Sequence, residues 1–159
     1  IAAAKELKER LEALGLVTFC KTTGGKGLHV VTPLTVKEKD GLGWDQAKTF
    51  AQAVCSAMAQ DNPDRYLLNM SKKLRTGKIF LDYLRNDRMS TAVAPLSPRM
   101  RVGATVSMPL HWSQVRADLK PQRFTMKTAA ALLARRVPWQ DYCNSEVPLK
   151  AAIQKFLAP

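Results

Sequence analysis

Histidine is scarce in this chain. His29 and His111 are the only two in 159 residues, so any imidazole chemistry rests on one of them. Cysteine is also sparse and odd in number, at Cys20, Cys55 and Cys143, with no C-x-x-C spacing. Neither a zinc ribbon nor a disulfide framework is indicated. No apolar run approaches the ~20 residues needed to span a bilayer. The opening residues carry no charged segment followed by an apolar stretch and a cleavage site. A reducing cytoplasm is the expected compartment, with no membrane partner.

Acids are scarce too, and this shortage is the most informative. Thirteen Asp and Glu stand against twenty-five Lys and Arg, a net charge of +12. Such an excess favours polyanionic partners, because each neutralised phosphate releases condensed counterions. A merely solubilising basic surface is the plainer alternative. The length and the 46% hydrophobic content suit one domain with a sizeable core. The chain begins at Ile1, and no Ser, Thr, Asp or Asn precedes its first helix as a cap. It is therefore expected to be the later part of something longer.

Leu7, Leu11 and Leu14 recur at helical spacing in IAAAKELKERLEALGL, which predicts an opening helix. Leu16–Cys20 and Leu28–Thr32 read as strands, the second ended by Pro33. A polar connection, Thr35 to Gly43, leads to a helix over residues 44–60 in which Ala47, Phe50, Ala51, Val54 and Met58 form one face. A shorter helix is expected over Arg65–Leu74, closed by Gly77. Residues 78–86 and 90–95 read as two strands turning at Asn86–Met89, and TVSMP as a short one. FTMKTAAALLARR and VPLKAAIQKFLA supply the last helices. Strands and helices interleave, so the class is mixed α/β or α+β.

The stretch KTTGGKGLHV places three glycines, two threonines and lysines before an apolar run. It is not a P-loop, because Lys26 is followed by Gly27 and Leu28 rather than by Ser or Thr, and it is not G-x-G-x-x-G. Gly24, Gly25 and Gly27 can turn successive N–H groups toward one anion, with Thr22 and Thr23 adding hydroxyls and Lys21 and Lys26 adding charge. On composition alone, a plain hairpin turn is equally open. His29, at the mouth of the following strand, can face whatever the loop holds. A lone strand histidine is ordinarily structural, but Lys26 and Thr23 beside it favour a functional one. His111, between Pro109 and Trp112, has no such company.

Asp82 interrupts the apolar run Ile79, Phe80, Leu81, Tyr83, Leu84. A carboxylate inside a half-buried strand costs several kcal/mol unless it is paired or binds a metal. It is either paired with a neighbouring arginine or a ligand for Mg²⁺ or Mn²⁺. Two-metal phosphoryl chemistry wants two or three carboxylates, and no D-x-D pair occurs in the chain, so the site is incomplete here. Lys72, Lys73, Arg75 and Lys78 precede Asp82, and Arg85, Arg88, Arg99 and Arg101 follow it. Arginine forks match phosphate oxygens, so this run fits a triphosphate or nucleic-acid surface better than a solvated face.

KTTGGKGLHVVTPL, LRTGKIFLDYLRN and TAVAPLSPRMRVGATVSMPLHW together resemble the polymerase domain of bacterial end-joining DNA ligase D, of the archaeo-eukaryotic primase superfamily. The resemblance implies a primase-like fold, an antiparallel-rich sheet flanked by helices, with residues 1–159 forming its C-terminal portion. It implies that Thr23, Lys26, His29, Arg75 and Arg99 contact a nucleoside triphosphate, with Asp82 as metal ligand and Asp82 and His29 as catalytic residues. Lys72, Lys73, Arg85, Arg88 and Arg101 are the expected nucleic-acid contacts. It further implies a nucleotidyltransferase that adds nucleotides at DNA break ends in non-homologous end joining. Its cofactor is Mn²⁺ or Mg²⁺, its location is nucleoid-associated, and its partners are attached ligase and nuclease modules and an end-binding Ku protein. Two departures stand out: the family's Asp-x-Asp motif is absent, and Leu96 stands where tyrosine is common before Ser97. The alternative is a catalytically incomplete fragment that binds nucleotide or nucleic acid.

Overall fold

The computed structural model describes residues 1–35, 42–135 and 137–158. In chain order the elements are α1 (Ala2–Ala13), β1 (Phe19–Thr22), β2 (Leu28–Val31), β3 (Leu34–Thr35), α2 (Trp44–Asp61), β4 (Tyr66–Leu67), β5 (Ile79–Phe80), β6 (Pro109–Leu110), α3 (Ala129–Arg135), β7 (Val147–Pro148) and α4 (Leu149–Leu157). The class is mixed α and β, as expected. Most of the polar connection from Thr35 to Gly43 lies outside the described residues. No described helix is long and apolar enough to cross a membrane. The chain divides into two compact units, residues 1–34 with 93–147, and residues 35–92 with 148–159.

The first unit is built on an antiparallel sheet in the order β2-β1-β6. Cys20 lies opposite Val30 on one side and Leu110 on the other, while Lys21 lies opposite His29 and Pro109. Side chains alternate across a strand, so Cys20 enters the core with Val106, Met108, Leu110, Val115, Phe124 and Ala129. On the opposite face Phe19 meets the edges of Trp139 and Tyr142 at centroid distances of 5.6 and 5.1 Å. Trp139 also donates its indole N–H to Cys20 O at 3.0 Å.

β1 begins three residues later than its sequence suggests. Gly15 takes φ +84° and the Leu16 N–H closes on Leu11 O at 3.1 Å, so this stretch terminates α1 rather than starting a strand. The strand instead continues through Lys21 and Thr22, which the sequence placed in the glycine loop. TVSMP forms bridges at Thr105 and Val106, and its last residue, Pro109, begins the paired strand Pro109–Leu110.

The second unit holds α2, whose buried face is Phe50, Val54, Cys55 and Met58, close to the predicted stripe. Phe156 of α4 meets Phe50 edge-on at 6.1 Å. The helix expected over Arg65–Leu74 does not form. Tyr66–Leu67 pairs in parallel with Ile79–Phe80 instead. Asn69 Oδ1 accepts the Ser71 N–H at 2.8 Å, a side-chain turn that competes with helix, and a single 3₁₀ turn follows at Lys72–Arg75. The strand expected over 78–86 shrinks to Ile79–Phe80, because β4 offers only two residues to pair with. Residues 90–95 form no strand.

Lys48 Nζ meets Asp87 Oδ2 at 2.7 Å and, with the Met89 N–H, holds that carboxyl below its ordinary range. A depressed carboxyl stabilises the fold above its unfolded value, and that contribution is lost as pH falls through the lower folded value. Carboxyl NMR titration of Lys48→Met is expected to move Asp87 upward toward pH 3.8; an unmoved midpoint would contradict the pairing. Cys20 and Cys55 are buried, which pushes their thiols up to about 12 and about 11, whereas Cys143 is exposed. A thiol reagent at neutral pH should therefore modify one cysteine rapidly in native protein and all three after denaturation.

Candidate nucleotide and nucleic-acid site

The glycine loop connects β1 to β2 as a hairpin that satisfies much of its own polarity. Thr23 Oγ1 donates to Gly27 O at 3.1 Å and accepts the Gly25 N–H at 3.3 Å. The Thr23 N–H also reaches Gly27 O, at 3.1 Å. Gly24 takes φ +65°, where L side chains are strained, and Thr105 Oγ1 donates to its carbonyl at 2.6 Å. A Cβ added at Gly24 would stand 2.5 Å from Arg99 Cγ, and one at Gly25 would stand 3.3 Å from Arg101 Nη1. Both arginines therefore lie against the hairpin backbone. Lys26 is exposed at its tip and His29 is half-buried on β2.

Two residues expected to serve the loop turn out to be structural strand positions. Thr22 is fully buried, donating to Val106 O at 3.1 Å and accepting the Met108 N–H at 2.8 Å. Lys21 is buried, with Nζ donating to Val93 O at 2.7 Å and Ser107 Oγ at 3.0 Å. Thus Thr23, Lys26, His29, Arg99 and Arg101 belong to the first unit, on one hairpin and the loop packed against it.

The remaining candidates belong to the second unit. Asp82 lies beyond the two-residue strand β5 and is about one-third exposed, with Oδ2 accepting from Arg85 Nε at 3.1 Å. This corrects the expectation of a carboxylate inside a buried strand: the shortened strand leaves Asp82 at the surface, paired with a neighbouring arginine. Arg85 Nη1 also donates to Thr91 O at 2.7 Å. Arg75 stacks its guanidinium 4.0 Å from the Phe80 ring centroid and donates from Nη2 to Met70 O at 2.7 Å. Its Nε is buried and has no hydrogen-bond partner among the described residues. Lys72, Lys73 and Arg88 are exposed.

No group of three His, Cys, Asp or Glu suited to a metal ion occurs among the described residues. Asp82 alone supplies one hard oxygen donor, which does not fit a complete two-ion site.

Residues 1–139 match the family model described as LigD, primase-polymerase domain. The multifunctional non-homologous end joining protein LigD of Pseudomonas aeruginosa is 36% identical over 150 residues, 92% of this chain. The chain belongs to the LigD primase-polymerase family. The bifunctional non-homologous end joining protein LigD of Bacillus subtilis is 27% identical over 98% of the chain. The chain spans only 17% and 26% of the length of these two LigD proteins. A solved structure of the polymerase domain from Mycobacterium tuberculosis ligase D, in complex with DNA, superposes with a TM-score of 0.78 at 31% identity. That match covers 87% of this chain and 46% of that one.

Sequence reasoning missed Thr105, Ser107 and the buried role of Lys21. Nothing local marked Lys21, whose partners are 72 and 86 residues away. Nothing local marked Thr105 or Ser107, whose partners are 81 and 85 residues away in sequence. The glycine geometry has a direct consequence. Gly24→Ala is expected to cost about 1–2 kcal/mol from its left-handed backbone alone and to displace Arg99. Gly27→Ala, whose added Cβ would meet only Thr23 at 3.6 Å, is expected to be nearly neutral. Equal melting temperatures for the two variants would contradict the packing described.

Proposed function

We propose that this chain carries the nucleotide-binding part of a nucleotidyltransferase that adds nucleotides at DNA break ends during non-homologous end joining. The observation that supports it most is the hairpin of three glycines with Arg99 and Arg101 packed on its backbone and Lys26 at its tip. Arg99 and Arg101 fill the space a Cβ would take at Gly24 and Gly25, so their guanidinium charge stands with Lys26 at the hairpin, suited to phosphate oxygens. In nucleotide addition the primer 3′-hydroxyl attacks the α-phosphorus and pyrophosphate leaves. Lys26, Arg99 and His29, with Thr23 shaping the loop, hold the β- and γ-phosphates and offset the charge that accumulates on the leaving group. Arg75, in the second unit, is a separate candidate phosphate contact by the family resemblance.

Among the described residues Asp82 is the candidate carboxylate for a divalent cation, Mn²⁺ or Mg²⁺. Lys72, Lys73, Arg85, Arg88 and Arg101 present cations to the nucleic-acid backbone. The proposed partners are primer-template or broken DNA ends, nucleoside triphosphates, covalently attached ligase and nuclease modules, and an end-binding Ku protein, at the bacterial nucleoid.

A second reading, a catalytically incomplete fragment that only binds nucleotide or nucleic acid, draws on the solitary position of Asp82 among the described residues. Primer extension with Mn²⁺ separates the two, using ribonucleotides and deoxyribonucleotides in turn. Extension by this chain would support the first reading, and triphosphate binding without extension the second. In the intact polymerase domain, Asp82→Ala is expected to abolish nucleotide addition while DNA binding persists. Normal extension by that variant would refute the assignment.

A further inference from the structure

Lys21 is the buried ionisable group that the proposed chemistry leaves unused. Its side chain is 4% exposed, yet Nζ has two neutral partners, Val93 O and Ser107 Oγ, and forms no ion pair with any described residue. Burying an ammonium among neutral oxygens is costly, and burial, opposed by Cys20 and reinforced by the Arg99 charge, lowers its pKa. A position that keeps a lysine under such conditions has a use for three directed donors.

The partners of Lys21 close the neck of one loop. Val93 begins it and Ser107 ends it. Between them Leu96 N–H donates to Ser107 O at 2.7 Å, Ser107 N–H to Ser97 O at 3.0 Å, and Arg99 N–H to Thr105 O at 2.8 Å. Ser107 Oγ passes the bond on to Thr22 O at 2.8 Å. Lys21 thus ties both ends of the Val93–Ser107 loop to β1, and the loop carries Arg99 and Arg101 onto the glycine hairpin that β1 itself enters. His29 lies opposite Lys21 on β2, on the same face.

We propose that Lys21 is a positioning residue for the triphosphate site: its buried ammonium latches the Val93–Ser107 loop to β1 and so sets where Arg99 stands over the glycine hairpin. The proposal rests on the triphosphate reading above. Lys21 acts through Arg99 and does not itself touch the nucleotide.

The test combines two independent measurements on the full chain, using Lys21→Met, which keeps the stem volume and removes the donors. First, trypsin cleavage after Arg99 and Arg101, followed by mass spectrometry without nucleotide, is expected to accelerate while the melting transition stays cooperative. Second, ATP affinity is expected to fall about tenfold, the scale of one lost charged hydrogen bond. Combining Lys21→Met with Arg99→Ala is expected to add no further loss to that of Arg99→Ala alone, because the first change works through the second residue. A purely structural role would leave the two losses multiplicative, and that result would overturn the proposal, as would unchanged cleavage and affinity in Lys21→Met. If the unsubstituted chain fails to bind ATP, the triphosphate reading fails, while the cleavage measurement still decides whether the latch exists. Should Lys21→Met not fold, Ser107→Ala, which deletes one acceptor, carries the same measurements.

Discussion

Strand β1 has a hydrogen-bonded neighbour on each edge, and with both ladders filled every side chain along it has a determined direction. Cys20 is committed to the apolar core and Lys21 to the opposite face beside His29. Thr22 is so enclosed that its hydroxyl adds to the backbone pairing, bonding Val106 O and Met108 N–H while its own N–H reaches Met108 O at 2.9 Å. The hairpin after Thr22 therefore leaves a rigid strand rather than a floppy linker. Its shape follows from Gly24 at positive φ and from the Thr23 hydroxyl spanning the turn. The same bonds that seat the 105–108 segment on β1 bring Arg99 and Arg101 to the hairpin. One strand thus organises both halves of the cationic cluster.

Charged groups are treated in two opposite ways in this chain. Asp82 and Arg85 form a partly exposed pair, the kind whose net contribution is about 0–1 kcal/mol, so stability gives little reason to keep an acid among so many bases. An ion pair held that weakly is also easily exchanged for another partner. Lys21 is the reverse case, since its desolvation is a real cost that only directed hydrogen bonds offset.

Long-periodicity elements were legible in the sequence: α1, the buried face of α2, and α4 follow their apolar spacing, and β2 follows its β-branched run. Short strands were not, because their length is set by the partner. Ile79–Phe80 stops where Tyr66–Leu67 stops, whatever the apolar run from Ile79 to Leu84 suggests. The expected helix at Arg65–Leu74 lost to two interactions that no periodicity count includes, a parallel pairing and the Asn69 side-chain turn. Within the candidate site, the glycine loop, Lys26 and the arginines were readable as types. Which hydroxyls face outward was not, since Thr22 and Thr23 are neighbours of identical chemistry that the pleat sends in opposite directions. Family motifs located the cationic residues that composition could only count, yet they too were silent on Lys21, because burial is a property of the fold and not of a spacing.

Net charge and local geometry act at different ranges. An excess of twelve positive charges attracts any polyanion, but beyond a Debye length of about 8–10 Å that attraction is screened and carries no shape. Shape begins at contact, and on this chain the missing Cβ atoms at Gly24 and Gly25 leave room for the side chains of Arg99 and Arg101 against the hairpin backbone. Adding lysines elsewhere on the surface would strengthen the first effect and leave the second untouched. How firmly the two arginines are held against Gly24 and Gly25 traces back to the bonds anchoring the Val93–Ser107 loop on β1.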